Sequence, residues 1–359
     1  MNLSFWKGKK VLLTGHTGFK GSWLSLWLQK LGVNLIGYSL EPPSQPSLFE
    51  LARVQTAMLS LKGDIRVLSN LIETIKTYKP EIVIHMAAQS LVRKSYENPL
   101  ETYSTNVMGT INVLEAVRQV GGVKVLLNIT SDKCYDNRES IWGYREDDPM
   151  GGYDPYSSSK ACAELISAAY CHSFFHSKSY DSHGTAIASA RAGNVIGGGD
   201  WGENRLIPDI IKSFLNNEIA IIRYPDSIRP WQFVLEPLNG YLMLIEKLWD
   251  KGFEFNGGWN FGPDNDIHMP VSWIADSLTN LWGNGAGWIK DTKNNHYHEA
   301  YVLKLDCTKA KNKLGWFPKM PINKTLELIV DWYLSYSLGK DMHNISLSEI
   351  EKYEEMILS

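Results

Sequence analysis

The sequence has few cysteines, little excess charge and no long apolar run, and each shortage narrows what the chain can be. Its four cysteines (Cys134, Cys162, Cys171 and Cys307) are spread out, with no pair at metal-ligand spacing. This argues against a zinc site or a disulfide scaffold and for a reducing, cytoplasmic compartment. The formal net charge is -3 and no Lys/Arg run stands out. The clustered basic face that neutralises nucleic-acid phosphate is therefore missing. No stretch approaches the roughly 20 apolar residues of a transmembrane helix. Leu24 to Leu31 is apolar, but Gln29 and Lys30 interrupt it and no small-residue cleavage site follows, so no targeting segment is expected. Internal repeats and low-complexity tracts are lacking too.

What is present is ordinary globular composition, with 44% hydrophobic and 21% charged residues. The 359 residues suffice for one large domain or two unequal ones. Strand-like runs at Lys10–Thr14, Val33–Tyr38, Leu59–Lys62, Ile82–His85, Val123–Thr130 and Thr185–Arg191 alternate with helical stretches. The helices are expected at Trp23–Leu31, Leu68–Tyr78, Leu100–Val120 and Pro155–Ser177. Continuous apolar strands alternating with helices indicate an α/β fold, a doubly wound parallel sheet covered on both faces. After Arg191 the rhythm breaks: Gly, Pro and Trp become frequent, and a helix at Leu206–Leu215 stands among irregular segments. Residues 1–190 are therefore expected to form a nucleotide-binding domain with a return to the sheet near 230–262. Residues 191–359 are expected to form mainly a smaller substrate domain.

The first strand runs into Gly15-His16-Thr17-Gly18-Phe19-Lys20-Gly21 and then a helix. Gly15 permits a tight turn, Gly18 lets backbone approach a pyrophosphate, and Gly21 lets the helix pack closely on the sheet. The helix N-terminus offers unpaired N–H groups and the positive end of its dipole to the anion. The context of strand, turn and helix makes this a dinucleotide fingerprint rather than a plain turn. NAD is favoured over NADP because no Arg follows the second strand at Tyr38-Ser39-Leu40, where a 2′-phosphate would need one. The usual ribose-binding carboxylate is also missing there, and Glu41 comes slightly late. Asp64, past the third strand, is either an adenine contact or a helix N-cap.

Tyr156-Ser157-Ser158-Ser159-Lys160 opens a helix. A spacing of four puts Tyr156 and Lys160 on one face, one turn apart. A nearby ammonium favours phenolate over phenol, which would lower the Tyr156 pKa and create a general base for a sugar hydroxyl. By itself Tyr-x-x-x-Lys is common; behind a Gly-rich turn at this distance it points to catalysis.

With the turn at Gly15, Gly18 and Gly21, these two residues resemble the extended short-chain dehydrogenase/reductase family, whose members act on nucleotide sugars using NAD. His85-Met86-Ala87-Ala88-Gln89-Ser90 looks like that family's cofactor-lining segment after the fourth strand, and Thr105-Asn106-Val107 like its next helix, where the Asn is structural. The resemblance implies that Gly15, Thr17, Gly18, Phe19, Gly21, Asp64, Ile65, Ala87, Ala88 and Gln89 hold NAD, together with Tyr156 and Lys160. It implies substrate contacts from Ser90, Asn194, Arg205, Leu206, Arg229 and Trp231, and a homodimer built on the helices near Leu100–Val120 and Pro155–Ser177.

The fifth strand ends in Ser131-Asp132-Lys133-Cys134-Tyr135. In the family a Ser or Thr at the first position hydrogen-bonds the hydroxyl being oxidised, which implies that role for Ser131. Sugar 4,6-dehydratases carry an acid next, which protonates the departing hydroxyl on carbon six, and Asp132 matches it. Thymidine- and guanosine-linked members then have Glu as the carbon-five base. Lys133 departs from that pattern and is similar to the cytidine-linked branch, which implies CDP-glucose as substrate. Lys133 as a base has to be desolvated or stand beside another cation such as Lys160; otherwise it is a polar strand-end residue pairing with Asp132. Cys134 reads as buried scaffold.

Arg205 and Arg229 offer bidentate phosphate binding and Trp231 a stacking surface, the alternative for the two arginines being surface ion pairs. His296, His298 and Glu299 crowd together without the spacing of a helical zinc motif, so a loop or pocket edge is expected and no metal. The reading is therefore a lyase: oxidation at carbon four, loss of water across carbons five and six, and hydride return to carbon six. A nucleotide-sugar 4-epimerase shares Tyr156 and Lys160 but needs no elimination acid. An NAD-binding sensor without turnover needs none of the catalytic set.

Overall fold

The computed structural model describes residues 1–264, 269–292 and 302–358. Seven parallel strands form the main sheet: β1 (Lys10–Thr14), β2 (Asn34–Ser39), β3 (Leu59–Lys62), β4 (Ile82–His85), β5 (Val125–Ile129), β6 (Ala186–Ala192) and β7 (Gly257–Phe261). Their spatial order is β7-β6-β5-β4-β1-β2-β3, the doubly wound Rossmann arrangement expected from the alternation. Val11 lies level with Leu35 on one side and Ile82 on the other. The chain does return to the sheet from the second half, as β7 beside β6.

Successive strand residues face opposite layers. Val11, Leu13, Ile82, Ile84, Val125 and Leu127 pack with Trp23 and Trp27 of helix α1 (Phe19–Lys30). Leu12, Val83 and Leu126 point the other way, into a layer with Leu71 and Ile75 of α2 (Leu68–Tyr78) and Val113 and Val117 of α3 (Gly109–Val120). Helix α4 (Pro155–Ser173) also covers this second face through Ile166 and Tyr170. It ends four residues before the expected Ser177.

The stretch expected as one helix over Leu100–Val120 is helical but interrupted by a π-helical turn at Ser104–Met108. A π-bulge often marks a functional place in a helix, and here it holds Asn106. The Asn106 amide bonds Gln89 N (2.8 Å), Gln89 O (2.9 Å) and Ser159 Oγ (2.9 Å). That ties the segment after β4 to α4, the structural role expected of it.

Beyond β6 come α5 (Leu206–Leu215), α6 (Leu235–Lys251), α7 (Val271–Trp282), α8 (Ile322–Ser337) and α9 (Met342–Leu358). Small parallel pairings, Val195–Ile196 with Gln232–Phe233 and Ala220–Ile222 with Trp288–Lys290, stitch this half together. The C-terminal α9 docks on α1: Glu354 accepts from Trp27 Nε1 (2.8 Å) and Lys30 Nζ (2.6 Å). No described helix is long and apolar enough to cross a membrane. His296, His298 and Glu299 lie outside the described residues.

Candidate active site

Loops leaving the C-terminal ends of β1, β4, β5 and β6 open on the same edge of the sheet, where β1 and β4 mark the reversal of strand order. Ligands of doubly wound folds bind at such an edge. The Gly-rich turn after β1 is held by Gly15 N donating to Tyr38 O (3.0 Å) and Gly18 N to Gly15 O (3.2 Å). Gly15 has φ +78°, and a Cβ on it would press on the Ala87 backbone. Gly18 is the N-cap of α1 with no side-chain cap, and a Cβ there would meet only Gly15 O at 3.5 Å. The open space in front of uncapped N–H groups fits a dinucleotide's pyrophosphate. Thr17 fastens the turn to the end of β2 through Ser39 Oγ (2.8 Å) and Leu40 O (3.0 Å).

The other residues expected around the cofactor divide. Ala87 and Ala88 line the half-buried segment after β4, and Phe19 is half-buried in the first turn of α1. Buried Ile65 fills the space that the missing Gly109 side chain leaves. Asp64 is not the N-cap of α2, which is Val67. Its carboxylate instead accepts from Arg66 Nε (2.9 Å) and Nη2 (2.6 Å), and Arg66 holds it below the usual carboxylate range. The Gln89 amide turns to Leu91 O and Thr102 Oγ1, both at 3.0 Å, so its side chain serves the local fold. Glu41 pairs with Lys62 at 2.5 Å on the surface.

The catalytic candidates converge between the tip of β5 and the start of α4. Helix α4 begins where the sequence dictates: Asp154 caps it by accepting from Ser157 N (2.9 Å) and Ser157 Oγ (2.6 Å), with Pro155 in the first turn. Tyr156 is thus in the first turn and Lys160 one turn on, both buried. Ser131 caps the short turn Asp132–Cys134. Its hydroxyl donates to Asp132 Oδ1 (2.9 Å) and accepts from Lys133 N (3.2 Å), and it is near enough to the Tyr156 phenol to oppose the rise of its pKa.

The charge states differ from the sequence-based expectation in one respect. Lys160 does not draw the Tyr156 phenol down; burial pushes it up to about 12, against opposing effects of Ser131 and Arg205. Desolvation of the phenolate outweighs the nearby charges. Burial likewise lowers Lys160 to about 8, with Glu164 opposing. Its ammonium donates to Ile129 O at 3.3 Å. Asp132 is 2% exposed and its Oδ2 has no partner among the described residues. Burial raises its pKa, with Lys133, Ser131 and Arg229 opposing, so this carboxyl is disposed to hold a proton. Cys134 is buried scaffold, its thiol pushed well up by burial.

Lys133 is half-buried, and its ammonium makes no hydrogen bond or ion pair among the described residues. A cation within electrostatic reach of Lys160 is Lys20, from within the Gly-rich turn. Burial first, then Lys160 and Arg205, lower it to about 7, and its ammonium donates to Tyr241 OH (3.1 Å). Sequence reading passed over Lys20. A Lys between the second and third glycines, where an apolar residue would pack more simply, was the available signal.

Of the substrate candidates, Arg205 pairs with Asp200 (3.0 Å) and donates to Ser90 Oγ (3.0 Å). Arg229 is buried and acts on Asp132, so it is no surface ion-pair residue. Trp231 is also buried, its indole N–H without a partner among the described residues. Asn194 is half-buried with φ +36°, and Leu206 opens α5. Arg205 lies within electrostatic reach of Tyr156 and Lys20, and Arg229 within reach of Asp132. Cations, a buried acid and a phenol thus gather at the strand tips, which suits proton transfer on a hydroxylated anionic ligand.

The sequence profile of the family described as GDP-mannose 4,6 dehydratase matches residues 12–329. A CDP-glucose 4,6-dehydratase of Salmonella typhimurium is 57% identical over 350 residues, covering 98% of this chain and 97% of the relative. A dTDP-glucose 4,6-dehydratase of Xanthomonas campestris is 25% identical over 346 residues, 90% of this chain and 93% of the relative. Among solved structures, dTDP-glucose 4,6-dehydratase from Bacillus anthracis in complex with NAD aligns with TM-score 0.74 at 22% identity, over 91% of this chain and 97% of that one. UDP-glucose 4-epimerase from Thermotoga maritima with UDP-glucose gives TM-score 0.76 at 22% identity, over 91% and 99%. At such identities the two structures share the fold.

Proposed function

This chain belongs to the GDP-mannose 4,6 dehydratase family, and from that premise we propose that it is a hydro-lyase converting CDP-glucose to CDP-4-dehydro-6-deoxyglucose. The nucleotide and sugar follow the relative with 57% identity over nearly the whole of both chains. The observation that carries the reaction type is Asp132, a buried acid of raised pKa that accepts from the Ser131 hydroxyl, near Tyr156. An epimerase requires no such acid, and a binding module requires neither.

In this reading Tyr156, once its phenol has given up its own proton, takes the carbon-four hydroxyl proton as phenolate, with Lys160 and Ser131 beside it. Bound NAD would supply the hydride chemistry, as acceptor from carbon four and donor to carbon six. Gly15, Thr17, Gly18, Phe19, Gly21, Ile65, Ala87 and Ala88 would hold the cofactor. The carbon-four ketone acidifies carbon five, whose proton passes to Lys133 as the free amine. Asp132 protonates the leaving carbon-six oxygen. Arg205, Arg229, Asn194, Ser90, Leu206 and Trp231 bind the sugar nucleotide. Residues 1–190 with β7 serve the cofactor, and the remainder mainly the substrate.

The functional unit in this reading is a homodimer. Leu100 (81% exposed), Met108 (50%) and Leu165 (58%) on and beside α3 and α4 present an apolar surface that a second copy would bury. The four cysteines are all free, which suits a cytoplasmic location. Incubating the protein and NAD with CDP-glucose, dTDP-glucose and UDP-glucose and weighing the products tests the proposal. Loss of one water from CDP-glucose alone is expected; an isomer of unchanged mass would make the protein an epimerase.

A further inference from the structure

Helix α4 carries a third polar residue on the face of its catalytic pair. Tyr156, Lys160 and Glu164 follow one another at intervals of four and so line one stripe of the helix. The Glu164 side chain is 5% exposed. Its carboxylate accepts hydrogen bonds from the Thr130 hydroxyl, the Ser189 hydroxyl (2.5 Å) and the Arg191 guanidinium (2.8 Å). Thr130 immediately precedes Ser131 at the tip of β5, while Ser189 and Arg191 belong to β6. One carboxylate therefore joins α4, β5 and β6 directly behind the site. Arg191 carries the connection onward to Tyr135 OH (2.7 Å), which donates to Asn260 of β7 (2.7 Å).

The surroundings of Lys160 make that carboxylate more than a staple. Its ammonium has a main-chain carbonyl for a hydrogen-bond partner, and a buried ammonium with so little compensation is costly. Lys20 faces it from α1 and is a like charge. His85 faces it from β4 and is neutral, its pKa lowered to about 3 by burial and by Lys160 itself. Cys134 faces it from the turn after β5 as an un-ionised thiol. Glu164 remains an anion: burial alone would push its pKa up, but Arg191, Ser189 and Thr130 hold it below the ordinary range.

We propose that Glu164 is a positioning residue of the reaction, locking the strand tip that bears Ser131 and Asp132 to the helix that bears Tyr156 and Lys160 and balancing the Lys160 ammonium. Only the activity part of its test rests on the dehydratase reading. A carboxylate that merely neutralises Arg191 would leave Lys160 indifferent to its removal.

The test replaces charge while conserving shape. Glu164→Gln leaves Arg191 unpaired in the interior, so the double variant Glu164→Gln/Arg191→Met is made beside it to guard against misfolding. The protonation of Lys160 is followed without cofactor or substrate, by the pH dependence of its acylation with a small anhydride, read by peptide mass spectrometry. In the double variant the midpoint is expected to fall by about one pH unit or more, a tenfold drop in the charged fraction above the midpoint. Ser189→Ala, which removes a hydrogen bond and no charge, should leave the midpoint in place. With CDP-glucose, kcat should fall at pH 8 and recover toward pH 6 while KM holds. A folded double variant whose Lys160 titrates as in the parent overturns the inference. If the parent itself leaves CDP-glucose unchanged, the dehydratase reading fails, and the acylation midpoint still decides the role of Glu164.

Discussion

Gly193 and Asp132 occupy one space: a Cβ on Gly193 would overlap the Asp132 carboxyl, meeting Oδ2 and Cγ before any other atom. Gly193 follows β6 and Asp132 follows β5, so the acid owes its burial to a hydrogen on the neighbouring loop. Gly193→Ala is expected to push the carboxyl off Ser131 and lower kcat by about tenfold or more, the scale on which small misplacements act. NAD affinity, measured by fluorescence titration, should stay put, because the Gly-rich turn is untouched.

Asp132→Asn keeps the shape and removes the proton donor. Oxidation at carbon four should still proceed, so reduced cofactor should accumulate in a single turnover. Product formation should slow by about a hundredfold or more, within the range of a lost general acid. Undiminished product formation in this variant would remove the acid role.

The pH dependence follows from the phenol and the ammonium. Tyr156 is raised to about 12 and is protonated in the free enzyme through the physiological range. Proton loss from it becomes easier as pH rises. Lys160 loses its charge near 8 and with it any help to the phenolate. Accordingly kcat/KM should climb with pH toward about 8 and level or decline above it. Lys160→Met should abolish the upper break and cost about a hundredfold or more.

Glu349 on α9 is buried, its Oε2 without a partner among the described residues, and burial raises its pKa from 4.5 to about 8, with Lys352 opposing. The unfolded chain releases this proton near 4.5, whereas the folded protein keeps it to about 8. Stability therefore falls as pH rises through that window. Glu349→Gln removes the effect and should raise Tm by a few degrees at pH 8, with little change at pH 4.5, as read by thermal denaturation.

Leu165→Asp places a charge in the apolar surface of α4. Sedimentation should show a monomer where the parent forms a dimer, with the fold retained in circular dichroism. A parent that sediments as a monomer would refute the proposed assembly.

Much of the fold was legible because it is encoded locally. The bounds of β1, β3, β4, α2 and α5 coincide with those read from apolar runs and turn residues, since strand and helix periods are properties of short segments. The π turn around Asn106 was not legible, because its stabilisation comes from Gln89 and Ser159, distant in sequence. Tyr156 and Lys160 were found by their spacing, and the Gly-rich turn by its context. Lys20, Gly193 and Glu164 were missed as site residues because each matters only through a neighbour that folding supplies. Gln89, expected at the cofactor, and Asp64, expected as an adenine contact or a helix N-cap, engage their side chains with Thr102 and Arg66, pairings that only folding reveals.

By itself the sequence determined the alternation of strands and helices, the phosphate-binding turn and the pairing of Tyr156 with Lys160, all matters of spacing along one segment. Only the tertiary structure decided which groups carry charge. It buried Tyr156 so that its phenol rises, brought Lys20 within electrostatic reach of Lys160, and shut Asp132 behind Gly193. Ionisation depends on the water excluded and the charges gathered from distant parts of the chain, and neither is written in the order of neighbouring residues.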